Sequence, residues 1–150
     1  PTWLANLEYP YDAKYIASTD DLVFDIAKEN NDEGTYDEIW PKYIKEAESR
    51  FWQKLLYMIQ NRRAIVVDRT NLTQKGRARI IEMFKKARMF DEYDITAYVF
   101  GMELPVHEWL IRLADRPGKT IPQHVLMSMA KSFVYPTLEE GFSSVCHINQ

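Results

Sequence analysis

The chain has 150 residues, 46% of them hydrophobic, with a formal net charge of −3 and a single cysteine. This size and composition predict one domain over residues 1–150, and the lone Cys146 cannot form an internal disulfide, so we expect a reducing, cytoplasmic setting without a structural zinc site. No apolar run is long enough to cross a membrane, and the slight excess of acidic residues excludes a protein that coats nucleic acid non-specifically.

The first part of the chain predicts a strand followed by two helices. A short apolar segment at residues 2–7 is typical of the end of a helix, and residues 14–17 predict a strand. Side-chain oxygens at residues 18–20 can cap a helix that ends near Asn30. Residues 41–62 then carry apolar side chains three or four positions apart, which predicts a long amphipathic helix.

The middle of the chain predicts a strand, a helix and a second strand. Residues 64–67 form a wholly apolar run that stops at Asp68, as expected of a strand buried on both faces. Thr73 can cap the helix that follows, which carries Ala78, Ile81, Phe84 and Ala87 on one side, and residues 95–100 predict the next strand. A right-handed crossover would join these two strands in one sheet.

The last third predicts two more helices, at residues 105–115 and 122–134, with a polar turn at 116–120 between them. The tail around residues 143–146 is predicted to be irregular. The alternation of strands and helices indicates an α/β fold in which helices cover a mainly parallel sheet.

Polar residues follow two of the predicted strands. Asp68, Thr70 and Asn71 come after an apolar strand, and in open parallel sheets ligands bind beyond the carboxyl ends of the strands. Short polar residues also cap turns into helices, so both interpretations stay open. Asp20 and Asp21 pose the same choice, because a carboxylate at a helix start either accepts a proton from a hydroxyl or complements the helix dipole.

A basic turn in the last third is a further candidate. Arg112 and Arg116 lie four residues apart with Lys119 close behind. Such arginines can clamp a phosphoryl group as charge develops on it, and a solvated basic turn is the alternative. Residues 118–120, Gly-Lys-Thr, do not complete a phosphate-binding loop, since Leu113 stands where that loop has its first glycine.

The order of these motifs resembles one known family. The chain is similar to the 5′-polynucleotide kinase domain of the bacteriophage T4 type, a P-loop phosphotransferase, in the stretches PTWLANL, YIASTDD, AIVVDRTNLTQKGRARIIEMFKKA, ITAYVF and LIRLADRPGKTIPQHVLMSMAKSF. The resemblance covers nearly the whole chain and implies a three-layer P-loop kinase-like fold with a C-terminal helical lid. It also implies transfer of the γ-phosphoryl group of ATP, with Mg²⁺, to the 5′-hydroxyl of DNA or RNA in end repair, in the host cytoplasm if the chain is phage-encoded.

The resemblance assigns a role to each candidate. Asp20 falls on the general base that takes the proton from the acceptor hydroxyl. Asp68 falls on the strand-end carboxylate that organises the site and holds a metal ion through water rather than directly. Arg116 falls on the lid arginine that clamps the donor phosphates. The implied substrate- and nucleotide-binding positions are Thr2, Thr70, Asn71, Arg112 and Lys119.

The family's glycine-rich nucleotide-binding loop has no counterpart among the five glycines of this chain. In the family it stands immediately before the position of Thr2, so we expect it, with the first strand, upstream of Pro1. Without that loop the 150 residues should have little kinase activity. The alternative is a degenerate relative, a catalytically inactive binding module that keeps the kinase fold.

A second departure is Val23, which stands where polynucleotide kinases carry an arginine that holds the acceptor's phosphate. The acceptor is therefore either a polynucleotide held by other cations or a nucleoside or other small hydroxyl compound. A homo-oligomer is left open by the sequence. The other cations available to a polynucleotide include Arg62, Arg63 and Arg69.

Overall fold

The computed structural model describes residues 15–100, 108, 111 and 120–148. Within it the chain divides into two compact units, each with its own parallel pair of strands. The helix predicted at residues 2–7, the helix predicted at 105–115 apart from residues 108 and 111, and the turn at 116–120 apart from residue 120 lie outside the described residues.

The first unit comprises Pro1–Gly34 and Glu38–Arg69, and its strand β1 (Ile16–Ser18) runs directly into helix α1 (Thr19–Glu29). Ser18 has extended backbone angles, and its Oγ accepts the backbone N–H of Asp21 at 3.2 Å, which caps the helix. The predicted strand followed by a capped helix is therefore confirmed.

Helix α2 (Tyr36–Gln60) begins five residues before the predicted start at residue 41 and ends two residues before the predicted end. Pro41 was expected to open the helix but lies inside it, where it removes one backbone hydrogen bond near the N-terminus. The apolar faces of α1 and α2 form the core of the first unit. Its buried members are Leu22, Val23, Ile26, Ala27, Ile39, Ala47, Phe51, Leu55, Met58 and Ile59.

Strand β2 (Val66–Asp68) pairs with β1 in parallel, with Ile16 opposite Val66 and Ser18 opposite Asp68. The expectation that this strand is buried on both faces is wrong, since all three of its residues remain partly exposed. Burial on both faces requires helices packed on each side of the sheet, and in the described residues the pair of β2 with β1 does not have this complete cover.

The second unit comprises Thr35–Asp37 and Thr70–Gln150, and its helix α3 (Gln74–Lys86) starts at the predicted cap. The Oγ1 of Thr73 accepts the backbone N–H of Gly76 at 3.1 Å. The buried face of α3 consists of Arg77, Ile80, Ile81 and Phe84, so the predicted burial of Ile81 and Phe84 is confirmed. Ala78 is exposed and Ala87 follows the helix, so neither belongs to that face.

Strand β3 (Thr96–Phe100) pairs in parallel with β4 (Ser144–Ile148) along its whole length. The irregular tail predicted around residues 143–146 is therefore wrong. The crossover between β2 and β3 stays a prediction: in the described residues β2 pairs with β1 and β3 pairs with β4. A hydrogen bond of 2.8 Å between the hydroxyls of Thr96 and Ser144 fixes the start of the second ladder.

Gly141 turns the chain into β4 after a short 3-10 helix, Leu138–Glu140. Its φ of 107° lies in the left-handed region, and a Cβ there would meet the Phe90 ring at 3.1 Å. Helix α4 (Gln123–Ser132) follows Pro122 and stops two residues before the predicted end at 134. The architecture is thus α/β in the broad sense of helices combined with short parallel strand pairs. No helix among the described residues is long and apolar enough to span a membrane.

Candidate functional site

Two carboxylates lie at the same end of the strand pair in the first unit. Asp68 is the last residue of β2 and is the register partner of Ser18, the last residue of β1. Paired strands lie about 4.8 Å apart, and Asp20 follows Ser18 by two residues in the first turn of α1. This is the carboxyl end of parallel strands, where ligands bind in open α/β sheets.

The three residues that precede Asp20 are buried, and their burial holds the backbone at Asp20 in place. Ala17, Ser18 and Thr19 are each at most 5% exposed, whereas Asp20 is partly exposed. The Thr19 hydroxyl is buried with no hydrogen-bond partner in the described part of the chain, which is a costly arrangement next to Asp20. A rigid, buried backbone thus carries a carboxylate that solvent can reach, and such a carboxylate can accept a proton from a bound hydroxyl.

Val23 faces the core of the first unit and is 0% exposed. The position where the resemblance expects an acceptor-binding arginine therefore packs against apolar side chains. A buried valine there offers no charge to an acceptor phosphate.

The three cations considered for a polynucleotide are not gathered at the carboxyl end. Arg62 and Arg63 precede β2, so they lie at the opposite end of the strand from Asp68, and Arg63 stacks over the Tyr15 ring at 5.5 Å. Arg69 forms an ion pair with Glu48 and lies 4.5 Å from the centre of an aromatic ring of α2, that of Phe51. We interpret Arg69 as a packing residue.

Thr70 and Asn71 belong to the second unit. Thr70 is exposed, and Asn71 has a φ of 44°, in the left-handed region that asparagine tolerates better than most residues. The Asn71 carbonyl accepts a hydrogen bond from Nη1 of Arg77 at 3.1 Å. The other predicted site residues, Thr2, Arg112, Arg116 and Lys119, lie outside the described residues.

Sequence reasoning missed a buried ion pair in the second unit. The side chains of Arg77 and Glu140 are 5% and 3% exposed and meet at 2.8 Å. The pKa of Glu140 is lowered chiefly by the hydrogen bonds that Arg77 donates to it. One sequence signal existed, because Arg77 stands three, four and seven positions before apolar residues and so occupies the buried stripe of its helix.

Comparison with known proteins adds no family: no family model matches the chain, and no curated protein is significantly similar to it. No cluster of three or more His, Cys, Asp or Glu side chains suited to a metal ion occurs within residues 15–100 or 120–148.

Proposed function

We propose that this chain is part of an ATP-dependent kinase that transfers the γ-phosphoryl group to the 5′-hydroxyl of DNA or RNA. The observation that supports this most is the register of β1 and β2, which brings the end of β2 at Asp68 beside the start of the helix that carries Asp20. The resemblance of the sequence to 5′-polynucleotide kinases assigns these same two positions to the reaction.

In this proposal Asp20 takes the proton of the acceptor hydroxyl. The hydroxyl oxygen then forms a bond to the γ-phosphorus while the bond from that phosphorus to the β–γ bridging oxygen breaks, so ADP leaves with the electron pair. Little covalent chemistry is required of the protein, and most of the catalysis comes from positioning and charge stabilisation. The partial exposure of Asp20 suits this role, because the acceptor must reach the carboxylate.

The residues suit Mg²⁺ better than a cation that needs a full protein cage. Mg²⁺ is usually held by one or two carboxylates, with waters and substrate phosphates completing its coordination. Asp68 is the residue that would hold it through water. When bound, the ion would supply positive charge to the donor phosphates. Thr70, Asn71 and the basic residues Arg112, Arg116 and Lys119 are the proposed substrate contacts in this chain.

One observation favours a second acceptor class. The buried Val23 offers no charge to an acceptor phosphate, and Arg62 and Arg63 lie at the amino end of β2. A nucleoside or another small alcohol has no such phosphate to hold. A kinase of small hydroxyl compounds is therefore the second candidate.

The test is transfer of labelled γ-phosphate from ATP and Mg²⁺ by the full-length gene product that contains this chain. Three acceptors are offered separately: a 5′-hydroxyl oligonucleotide, the same oligonucleotide carrying a 5′-phosphate, and a nucleoside mixture. Label on the first alone supports the proposal. Label on the nucleosides alone supports the second candidate, and no label on any acceptor contradicts both and favours a binding module.

A further inference from the structure

All three guanidinium nitrogens of Arg77 donate hydrogen bonds inside the second unit. Its Nε and Nη2 each donate to one carboxylate oxygen of Glu140, both at 2.8 Å. Its Nη1 donates to three backbone carbonyls, those of Val134 at 2.8 Å, Asn71 at 3.1 Å and Leu72 at 3.3 Å. Because Nη1 has two hydrogens, one of them is shared between two carbonyls.

These bonds tie two distant segments to the start of α3. The Leu72 carbonyl also accepts the backbone N–H of Val134 at 2.9 Å, so the segments at 71–72 and 134 meet directly as well as through Arg77. Glu140 in turn accepts the backbone N–H of Thr137 at 3.1 Å. The pair therefore holds residues 71–72 against the segment that follows α4.

The segment at residues 70–71 has a backbone conformation that needs support from its surroundings. Asn71 has a positive φ, a conformation that costs free energy in a residue other than glycine. Thr70, the preceding residue, is exposed. The hydrogen bond from Arg77 to the Asn71 carbonyl fixes the peptide group that follows Asn71. It thereby restricts the directions in which the side chains of Thr70 and Asn71 can project.

We infer that Arg77 and Glu140 are positioning residues for Thr70 and Asn71. This inference rests on the proposed function, in which Thr70 and Asn71 contact a substrate. The pair touches no substrate itself and acts by fixing the loop. Misplacement of a contact by about 1 Å can cost roughly a hundredfold in rate, so loss of the pair should be visible in the kinetics.

A double substitution separates positioning from stability. Replacing a buried ion pair with apolar residues of similar size is often neutral or favourable for stability. Arg77→Met with Glu140→Leu therefore leaves no buried charge unpaired, and it removes the donor to the carbonyls of Asn71, Leu72 and Val134. A purely structural pair would be replaced without loss of activity.

The experiment compares the full-length parent with this double variant, with Thr70→Val and with the combination of all three substitutions. Arg79→Met is the matched control, because Arg79 is an exposed arginine on the same helix. Hydrogen exchange is measured at the Val134 amide, and kcat and KM are measured for ATP and for the 5′-hydroxyl oligonucleotide. Arg77→Lys, which keeps the charge but not the planar fork, takes the place of the double variant if that variant does not fold.

The inference predicts faster exchange at Val134 and a fall in kcat/KM of about tenfold or more in the double variant, with a raised KM that loss of folded protein alone would not produce. Adding Thr70→Val to the double variant should lower kcat/KM little further, because both changes disable the same contact between Thr70 and the substrate. The inference would be overturned if exchange at Val134 or the kinetics of the double variant were unchanged. It would also be overturned if the losses of kcat/KM from the double substitution and from Thr70→Val multiplied in the triple variant. A parent that labels no acceptor contradicts the proposed function instead, and exchange at Val134 then decides whether the pair holds the loop.

Discussion

Two arginine–glutamate pairs, one in each unit, each have two hydrogen bonds of the same length but lie in different surroundings. Arg50 and Glu29 share two hydrogen bonds of 2.8 Å, as do Arg77 and Glu140. The first pair is 36% and 54% exposed, whereas the second is 5% and 3% exposed. Distance alone therefore does not rank them, because water competes for the first pair and not for the second.

The largest expected effect comes from breaking the buried pair on one side. Arg77→Met leaves the Glu140 carboxylate buried without its partner, and such a loss costs about 3–5 kcal/mol of the free energy of unfolding. Urea unfolding at neutral pH measures it. Arg50→Met is the matched control and should change the midpoint little, because Glu29 stays in water. Equal losses of unfolding free energy in Arg77→Met and Arg50→Met would contradict the claim that burial distinguishes the two pairs.

The pH dependence of stability provides a second way to distinguish the buried pair from the exposed pair. The pKa of Glu140 and the pKa of Glu29 are both lowered, chiefly by hydrogen bonds from their arginines. A carboxyl whose pKa is lowered by folding stabilises the fold above its unfolded pKa, 4.5 for Glu140, and loses that contribution as the pH falls through the lowered folded pKa.

We therefore expect the parent to lose stability more steeply below pH 4.5 than Glu140→Gln does. Thermal unfolding followed against pH measures the difference. The corresponding difference for Glu29→Gln should be smaller and should shrink in added salt, which screens exposed charges far more than buried ones. A Glu140 difference that salt abolishes would show that water reaches this pair.

The smallest effect is expected from an uncharged contact at the start of α3. Thr73→Ala removes the hydroxyl that accepts the Gly76 N–H, and loss of such a cap costs about 1 kcal/mol. Chemical denaturation compares it with Thr73→Ser, which keeps the hydroxyl and should remain close to the parent. A loss in Thr73→Ala as large as that in Arg77→Met would mean that burial of charge is not what distinguishes the pair.

Local signals in the sequence predicted the helix starts well. The caps at Ser18 and Thr73 were both readable, because an N-cap needs only a short polar side chain three residues before the amide that it satisfies. The start of α2 was missed because Pro41 is typical of a first turn, and the structure places it inside the helix.

Non-local features were not predictable in the same way. The pairing of β3 with β4 joins residues 48 positions apart, and Arg77 meets Glu140 across 63 positions. No periodicity in one segment specifies its partner in another. The candidate site lies between these cases. The ends of β1 and β2 were predictable from short apolar runs that end before Ser18 and before Asp68, but the parallel register of the two strands was not.

The most direct test of the account compares two neighbouring carboxylates in the first turn of α1. Asp20→Asn and Asp21→Asn, made in the full-length gene product, are assayed side by side for transfer of labelled γ-phosphate to a 5′-hydroxyl oligonucleotide. We expect Asp20→Asn to lower kcat by on the order of a hundredfold while remaining folded, because it removes the general base, and Asp21→Asn to keep the parent rate. Equal rates in the two variants would contradict this expectation.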